Sequence, residues 1–369
     1  MRILFTRFPL ESRMGGAEIQ TLSLMKGLIS RGHTVEFLGS CPVLLRASEE
    51  IRVKSEELHI GNPPVTKFGV MSFLWRKSAM KRKLLSSLFS HHSSLDGIVM
   101  LSLSEKLLLT EEAVRRGIKV IWVEHDPVGR WLSKNPWLST LTSLSQKVTV
   151  VVVSDLSKKI YEGLGFKNVV VIPNGIDFKR FEKNNSAFSF QHSSLRIGCV
   201  ARLAEEKGVD VLLEAMRELP QVSLAIVGDG PEESFIRNFI SDITVREGMS
   251  EPRIQLLSHV DDLGAFYQSL DVFVLPSRTN DPFGLVAAEA MSLGIATVVT
   301  DACGIAGFLT SGSDALVVPA EDSGALQKAI SSLMEESVRH PIAKQGQTTA
   351  HEKFSVEKMV QKYETILGK

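Results

Sequence analysis

The sequence predicts an α/β protein of two doubly wound, Rossmann-like domains. Three observations carry this expectation. Short β-branched runs alternate with helical patterns along all 369 residues. Most of those runs are apolar throughout rather than alternating, as strands covered on both faces by crossover helices must be. A polar stretch near the middle separates two such series, and the length suits two cores rather than one.

In the first series the strands are expected at 3–6, 34–38, 98–101, 120–124, 148–153 and 169–172, with a more polar one within 51–60. After the first strand, apolar positions 19, 22, 25, 28 and 29 mark a helix that Gly32 ends. The turn Pro173-Asn174-Gly175-Ile176-Asp177 closes the series, and 181–194 has the composition of a linker. The second series is expected at 195–201, 224–228, 254–258, 272–276, 296–300 and 315–318. His340-Pro341 is expected to interrupt a helical run, since proline lacks the donor a helix interior uses. Val356, Met359, Val360, Tyr363, Ile366 and Leu367 form a last amphipathic pattern. The domains are therefore placed at 1–180 and 195–351, joined by 181–194.

Formal charge sums to zero, but unevenly. Residues 1–192 hold 27 Lys and Arg against 17 Asp and Glu, and the remainder 15 against 25. The zero total points to no polyanionic partner such as a nucleic acid, and the basic front and acidic back suggest two domains with different tasks. Cys41, Cys199 and Cys303 are far apart and lack metal-ligand spacing, which speaks against a disulfide framework and for a reducing compartment. The apolar run at the N-terminus breaks too early for a signal peptide, and no stretch has the ~18 apolar residues of a spanning helix. The expected location is cytoplasmic.

Several tracts fall where strands give way to helices, the usual place for ligands in such sheets. Gly15 and Gly16, before the first helix, would let a phosphate approach free N–H groups, or would form a plain turn. The loop is not GxGxxG, which argues against a dinucleotide dehydrogenase. His125 follows a strand and could bond a sugar hydroxyl, or be an ordinary loop histidine. Arg202 and Lys207, at the head of the second series, could clamp a diphosphate or be two solvated charges. Gly228, in the turn Gly228-Asp229-Gly230-Pro231, is read either as part of a turn or as backbone near phosphate. The most informative tract runs from Val274 to Met291. There a buried strand leads to Asp281, then Phe283-Gly284-Leu285 opens a helix carrying Glu289 among Ala287, Ala288, Ala290 and Met291. A carboxylate in such apolar company is out of place on a wet face. The two carboxylates could accept from sugar and ribose hydroxyls.

These tracts, in this order, resemble glycosyltransferase family 4, retaining enzymes of the GT-B fold. The likeness runs through Gly15-Gly16-Ala17-Glu18, Arg31-Gly32-His33-Thr34-Val35, Ile172-Pro-Asn-Gly-Ile-Asp177, Arg202-x4-Lys207-Gly208, Gly228-Asp-Gly-Pro231 and Asp281-x-Phe-Gly-x4-Glu289. The resemblance implies two domains facing a cleft, with a last helix within 352–369 crossing back to the first. It implies that Arg202 and Lys207 bind the diphosphate and Glu289 the ribose of a nucleotide-sugar donor, UDP favoured over GDP. Asp281, His125 and the backbone of Phe283, Gly284 and Leu285 would hold the transferred sugar, and Gly16 would approach the donor phosphate. It implies a hexosyl transfer to a glycan or lipid-linked acceptor of the cell envelope, with no cofactor and no metal, and no Asp-x-Asp triplet occurs. One departure matters: the family's first carboxylate is usually Glu, and here Asp281 is shorter by one methylene.

A nucleotide-sugar epimerase of the same architecture, or a non-catalytic nucleotide-sugar-binding module, would use the same donor residues. Separately, residues 67–89 mix Arg76, Lys77, Lys81, Arg82 and Lys83 with Phe73, Leu74 and Trp75. That mixture suits peripheral contact with the inner face of a membrane, or a packed helix with a solvated basic face.

Overall fold

The computed structural model describes residues 1–10, 15–91, 94–181, 190, 195–250 and 252–368. It divides into two units, Met1–Gly175 with Val356–Lys369, and Ile176–Ser355. The sequence reading drew these boundaries after 180 and before 352. Most of its linker, 182–189 and 191–194, lies outside the described residues.

The first unit holds seven parallel strands: β1 (Arg2–Arg7), β2 (Thr34–Gly39), β3 (Lys54–Glu57), β4 (Gly97–Met100), β5 (Lys119–Glu124), β6 (Thr149–Val152) and β7 (Val169–Val171). Their order is β3-β2-β1-β4-β5-β6-β7. Between them run α1 (Gly16–Ser30), α2 (Pro42–Glu50), α3 (Lys67–His91), α4 (Leu103–Arg115), α5 (Arg130–Ser133), α6 (Leu138–Ser145) and α7 (Asp155–Gly163). Alternation along β1 shows why the strands are apolar throughout. Leu4 joins the core beneath Phe73, Leu84, Leu108 and Trp122, while Ile3 and Phe5 join an opposite core with Leu24, Met25 and Leu28. Only β3, at the edge, keeps a polar sequence, because an edge strand needs less cover.

The second unit has β8 (Leu195–Val200), β9 (Val222–Val227), β10 (Ile254–Leu257), β11 (Val272–Leu275), β12 (Ala296–Thr300) and β13 (Leu316–Val318), in the order β10-β9-β8-β11-β12-β13. Its helices are α8 (Val209–Arg217), α9 (Glu233–Arg246), α10 (Leu263–Gln268), α11 (Leu285–Ser292), α12 (Ser323–Ser332) and α13 (Glu336–Lys353). α13 corrects one expectation: Pro341 lies inside it and does not end it. The proline withholds a bond from the Ser337 carbonyl, in an exposed first stretch that water can serve. The face beyond it, Ile342, Ala343, Gly346, Thr349 and Ala350, is buried and carries the helix on.

The last helix, α14 (Val356–Gly368), belongs to the first unit. Met359, Val360, Tyr363 and Leu367 enter the core that α1 covers. Gly27 of α1 allows this fit, since a Cβ there would strike the Val360 side chain. α1 itself is less apolar inside than its sequence suggests: Glu18, Gln20 and Thr21 are buried. Gln20 exchanges two 2.8 Å hydrogen bonds with the backbone of Gly175, which fixes the turn after β7.

Candidate functional site

In a doubly wound sheet the loops leave a crevice where the strand order reverses. In the second unit that point lies between β8 and β11. The loop after β8 carries Arg202 and Lys207, and the loop after β11 carries Ser277 to Gly284. The two loops are joined at several places. Lys207 Nζ lies 2.6 Å from Asp281 Oδ2, and Arg278 N donates to the Glu206 carbonyl at 2.9 Å. Gly208 has φ +63°, and a Cβ there would strike the Pro276 carbonyl. Only glycine satisfies both demands.

Asp281 is nearly buried. Besides Lys207, it accepts from Ser277 Oγ at 3.1 Å and, more weakly, from Phe283 N at 3.4 Å. Its backbone is pinned by Asp281 N to Ala302 O at 3.0 Å and by Gly304 N to Asp281 O at 2.8 Å. The loop thus turns the shorter carboxylate onto the lysine. Gly284, at φ +93°, caps α11. The amides of Gly284, Leu285 and Val286 find no acceptor among the described residues. A helix start with free amides and a lysine close by is an anion site in waiting.

Glu289 is buried on α11, and its Oε2 accepts from Tyr267 Oη at 2.9 Å. Burial raises its pKa, while the Tyr267 hydrogen bond and the positive charge of Arg180 pull it back. Arg180 also lines a concavity of about 400 Å³ with Phe181, Val200, Val227, Val260 and Leu263, beyond the ends of β8 and β9. Arg180 and this hollow were missed in the sequence. Arg180 stands beside the linker, and no motif marks it.

Two expected contributors are placed differently. Arg202 is two-thirds exposed and its carboxylate neighbour is Glu206, at 3.7 Å. It makes no ion pair with Asp281 or Glu289. Gly228 donates its N–H to the Leu257 carbonyl at 2.8 Å, so that amide is not free for phosphate. Its φ of +152° and the nearness of the Ala201 carbonyl explain the glycine instead.

The first unit reverses its order between β1 and β4. Here Gly15 is extended at φ −143° and caps α1, and Met14 before it lies outside the described residues. Gly16 opens the helix. Glu18 is no surface charge: it pairs with Arg7 at 2.5 Å, and both are buried. A pocket of about 500 Å³ opens beside them, walled by Phe8, Leu101, Leu103, Trp131 and Leu132. Lys106, Glu124 and Asp126 also reach it. Lys106 Nζ lies 2.7 Å from Glu124 Oε1, and Tyr161 Oη donates to Glu124 Oε2 at 3.0 Å. Of Arg7, Glu18, Lys106 and Glu124 only Glu18, in the Gly15-Gly16-Ala17-Glu18 tract, was named in a motif of the sequence reading, and as a helix-start residue rather than a partner of Arg7. The clue was Glu124, a carboxylate ending an apolar strand. His125 follows it, with a buried Nδ1 that has no partner. Burial, aided by Arg7 and Lys106, keeps its imidazole neutral. Among the described residues no group of three or more His, Cys, Asp and Glu could hold a metal ion.

Residues 14–180 match Glycosyltransferase Family 4, and residues 194–336 match Glycosyl transferases group 1. The lipopolysaccharide core biosynthesis mannosyltransferase LpcC of Rhizobium leguminosarum is 30% identical over 282 residues, 72% of either chain. The chain belongs to glycosyltransferase family 4. The capsular polysaccharide biosynthesis glycosyltransferase CapM of Staphylococcus aureus is 24% identical over 358 residues, 88% of this chain and 92% of the relative. Anabaena Alr3699/HepE, solved with UDP, shares the fold at a TM-score of 0.81 and 19% identity, each chain covered completely. The two sheets are those of a GT-B glycosyltransferase.

Glu105, which is buried, and His125, which is half-buried, predict an unusual pH response. Burial lifts the Glu105 carboxyl from its ordinary 4.5 to about 7 and holds His125 down from 6.5 to about 4. The stability from Glu105 is whole below 4.5 and lost as pH rises through 7. That from His125 is whole above 6.5 and lost as pH falls towards 4. Each slope amounts to about 3 kcal/mol, and they oppose each other between about pH 4.5 and 6.5. Across that interval the stability of Glu105→Gln, measured by urea unfolding, is expected to rise more steeply with pH than that of the unaltered protein.

Proposed function

We propose that this glycosyltransferase moves a hexose, with retention, from a nucleotide-diphosphate donor to a glycan or lipid-linked acceptor of the cell envelope. The reading rests on one observation above all: Lys207 and the free amides at the start of α11 meet at the sheet's reversal point. A diphosphate there would draw Lys207 partly from Asp281. Glu289 would accept from the ribose, and the hollow beside Arg180 would take the base. Arg202 is exposed and mobile enough in its long side chain to turn onto the diphosphate. UDP is the favoured carrier, in keeping with the UDP and UDP-glucose complexes of Alr3699/HepE. The envelope assignment follows the names of the relatives, which include phosphatidyl-myo-inositol mannosyltransferases of mycobacteria.

In the reaction the bond from the anomeric carbon to the phosphate oxygen breaks, and its electron pair leaves with the diphosphate. Lys207 and the α11 amides stabilise that charge as fixed electrostatics. The acceptor oxygen bonds to the same face of the sugar, and its proton passes to the leaving phosphate. The first unit would hold the acceptor in the pocket lined by Lys106, Glu124 and Asp126.

A thermal-shift screen with nucleotide sugars, metal-free, tests the donor. A ligand at ~100 times its Kd adds about 2.7 kcal/mol, so the UDP-hexose that fits should raise Tm by several degrees. No shift with any UDP or GDP sugar would refute the reading. Turnover is expected to survive a chelator, and its loss on chelation, restored by a divalent ion, would refute metal independence.

A further inference from the structure

α3 is the longest helix among the described residues, and its outward side changes character along its length. Phe73, Met80, Leu84 and Leu88 point into the core. On the other side Phe68, Met71, Leu74 and Trp75 are exposed by 71, 62, 61 and 87%. Four of the eleven exposed large apolar side chains among the described residues thus fall within eight positions, where scattered single ones would mean nothing.

The rest of the helix is cationic. Lys67, Arg76, Lys77, Lys81, Arg82 and Lys83 lie on it, and it contains no Asp or Glu. Three of these have neutral partners. Arg76 bonds Ser72 Oγ and the Asn62 carbonyl, Lys77 stands over the Trp137 ring at 4.8 Å, and Lys83 reaches the His59 carbonyl at 2.7 Å. Lys67, Lys81 and Arg82 have no ion-pair partner among the described residues. Past the apolar stretch an open groove of about 610 Å³ runs along the helix, lined by Arg82, Lys83, Ser86, Ser87 and Ser90. Guanidinium, ammonium and hydroxyl donors together suit a phosphate. Ser87 is itself engaged, donating its hydroxyl to Glu56 Oε1 at 2.6 Å, which leaves Ser86 and Ser90 as the hydroxyl donors of the groove.

We propose that α3 seats the protein on an anionic lipid bilayer. Phe68, Met71, Leu74 and Trp75 enter the interface, and the Arg82–Ser90 groove receives a phosphate headgroup. A helix with bulky apolar residues beside uncompensated cations binds such surfaces by both terms at once. An acidic protein partner would account for the cations but gives no reason for the apolar cluster beside them. The seat also bears on the acceptor, a consequence that rests on the function proposed above. Pro63, Val65 and Thr66, just before α3, wall the 500 Å³ pocket of the first unit. A bilayer at α3 therefore brings a lipid-linked acceptor to that pocket.

The test uses the full chain with phosphatidylcholine vesicles, with and without phosphatidylglycerol, at low and high salt. Pelleting is expected only with phosphatidylglycerol, weakened about tenfold or more by high salt. Trp75 emission should shift to the blue on binding. Phe68→Ser/Trp75→Ser and Arg82→Glu should each lose binding about tenfold or more, because each removes one of the two terms. All three altered side chains are exposed, so folding should be kept, and the thermal shift with UDP should be unchanged. That response separates failure of the seat from failure of the donor reading. Equal pelleting with neutral vesicles, undiminished binding by the variants, or binding of soluble glycerol phosphate with no binding to vesicles would overturn the proposal.

Discussion

Lys207→Ala is expected to lower turnover at least about 100-fold, the scale of losing one preorganised charge at a departing oxyanion. Alanine also strands Asp281, which is nearly buried and keeps only Ser277 and a long contact from Phe283 N. A stability loss of about 1–3 kcal/mol should therefore accompany the kinetic one. The double variant Lys207→Ala/Asp281→Asn separates the two effects. An asparagine carries no charge to strand, so stability should return while turnover stays low. Recovery of turnover with stability would mean that Lys207 only braces the loop, and near-normal turnover in the single variant would remove it from the diphosphate altogether.

Lys106→Met should unfold the first unit more readily by about 3–5 kcal/mol, the usual cost of leaving one charge of a buried pair alone. Lys106 and Glu124 are both buried, and Glu124 would be left with the Tyr161 hydroxyl. Adding Glu124→Gln should restore most of the loss, since the glutamine oxygen still accepts from Tyr161. Urea unfolding of the three variants measures this directly. A single variant as stable as the parent would show that water reaches Glu124 freely through the pocket. Because both residues reach the pocket, the rescued double variant also reports on the acceptor: its KM should rise even where stability has returned.

Strand positions were legible because a strand buried on both faces has no choice but to be apolar. Even the polar run 51–60 held β3, at the edge where polarity is tolerated. Pro341 misled because local propensity was weighed without the buried face that follows it. In the second unit Glu289 could be picked out because it interrupts apolar sequence, and Lys207 and Asp281 because each lies in a loop between a strand and a helix. Their partners could not: that Lys207 meets Asp281, or Glu289 meets Tyr267, depends on strands far apart in sequence being adjacent. The first unit's cluster was harder still. Arg7, Glu18, Lys106 and Glu124 each sit alone in an ordinary strand or helix, and their mutual neutralisation is a property of the packed sheet. Asp281 is the instructive case. Its shortness could be seen in the sequence, but only the bonds from its backbone to Ala302 and Gly304 show which way the carboxylate is turned.

The return of α14 to the first unit has a consequence for the order in which the chain folds as it is synthesised. Residues 176–355 form an uninterrupted segment that can collapse as soon as it leaves the ribosome. The segment made before it must wait: until residues 356–368 emerge, the side of α1 around Gly27 lacks Met359, Val360 and Tyr363 and remains open to water or to chaperones. The earlier-made half is thus the later to finish, sealed by a stretch that is made after the whole of the second unit.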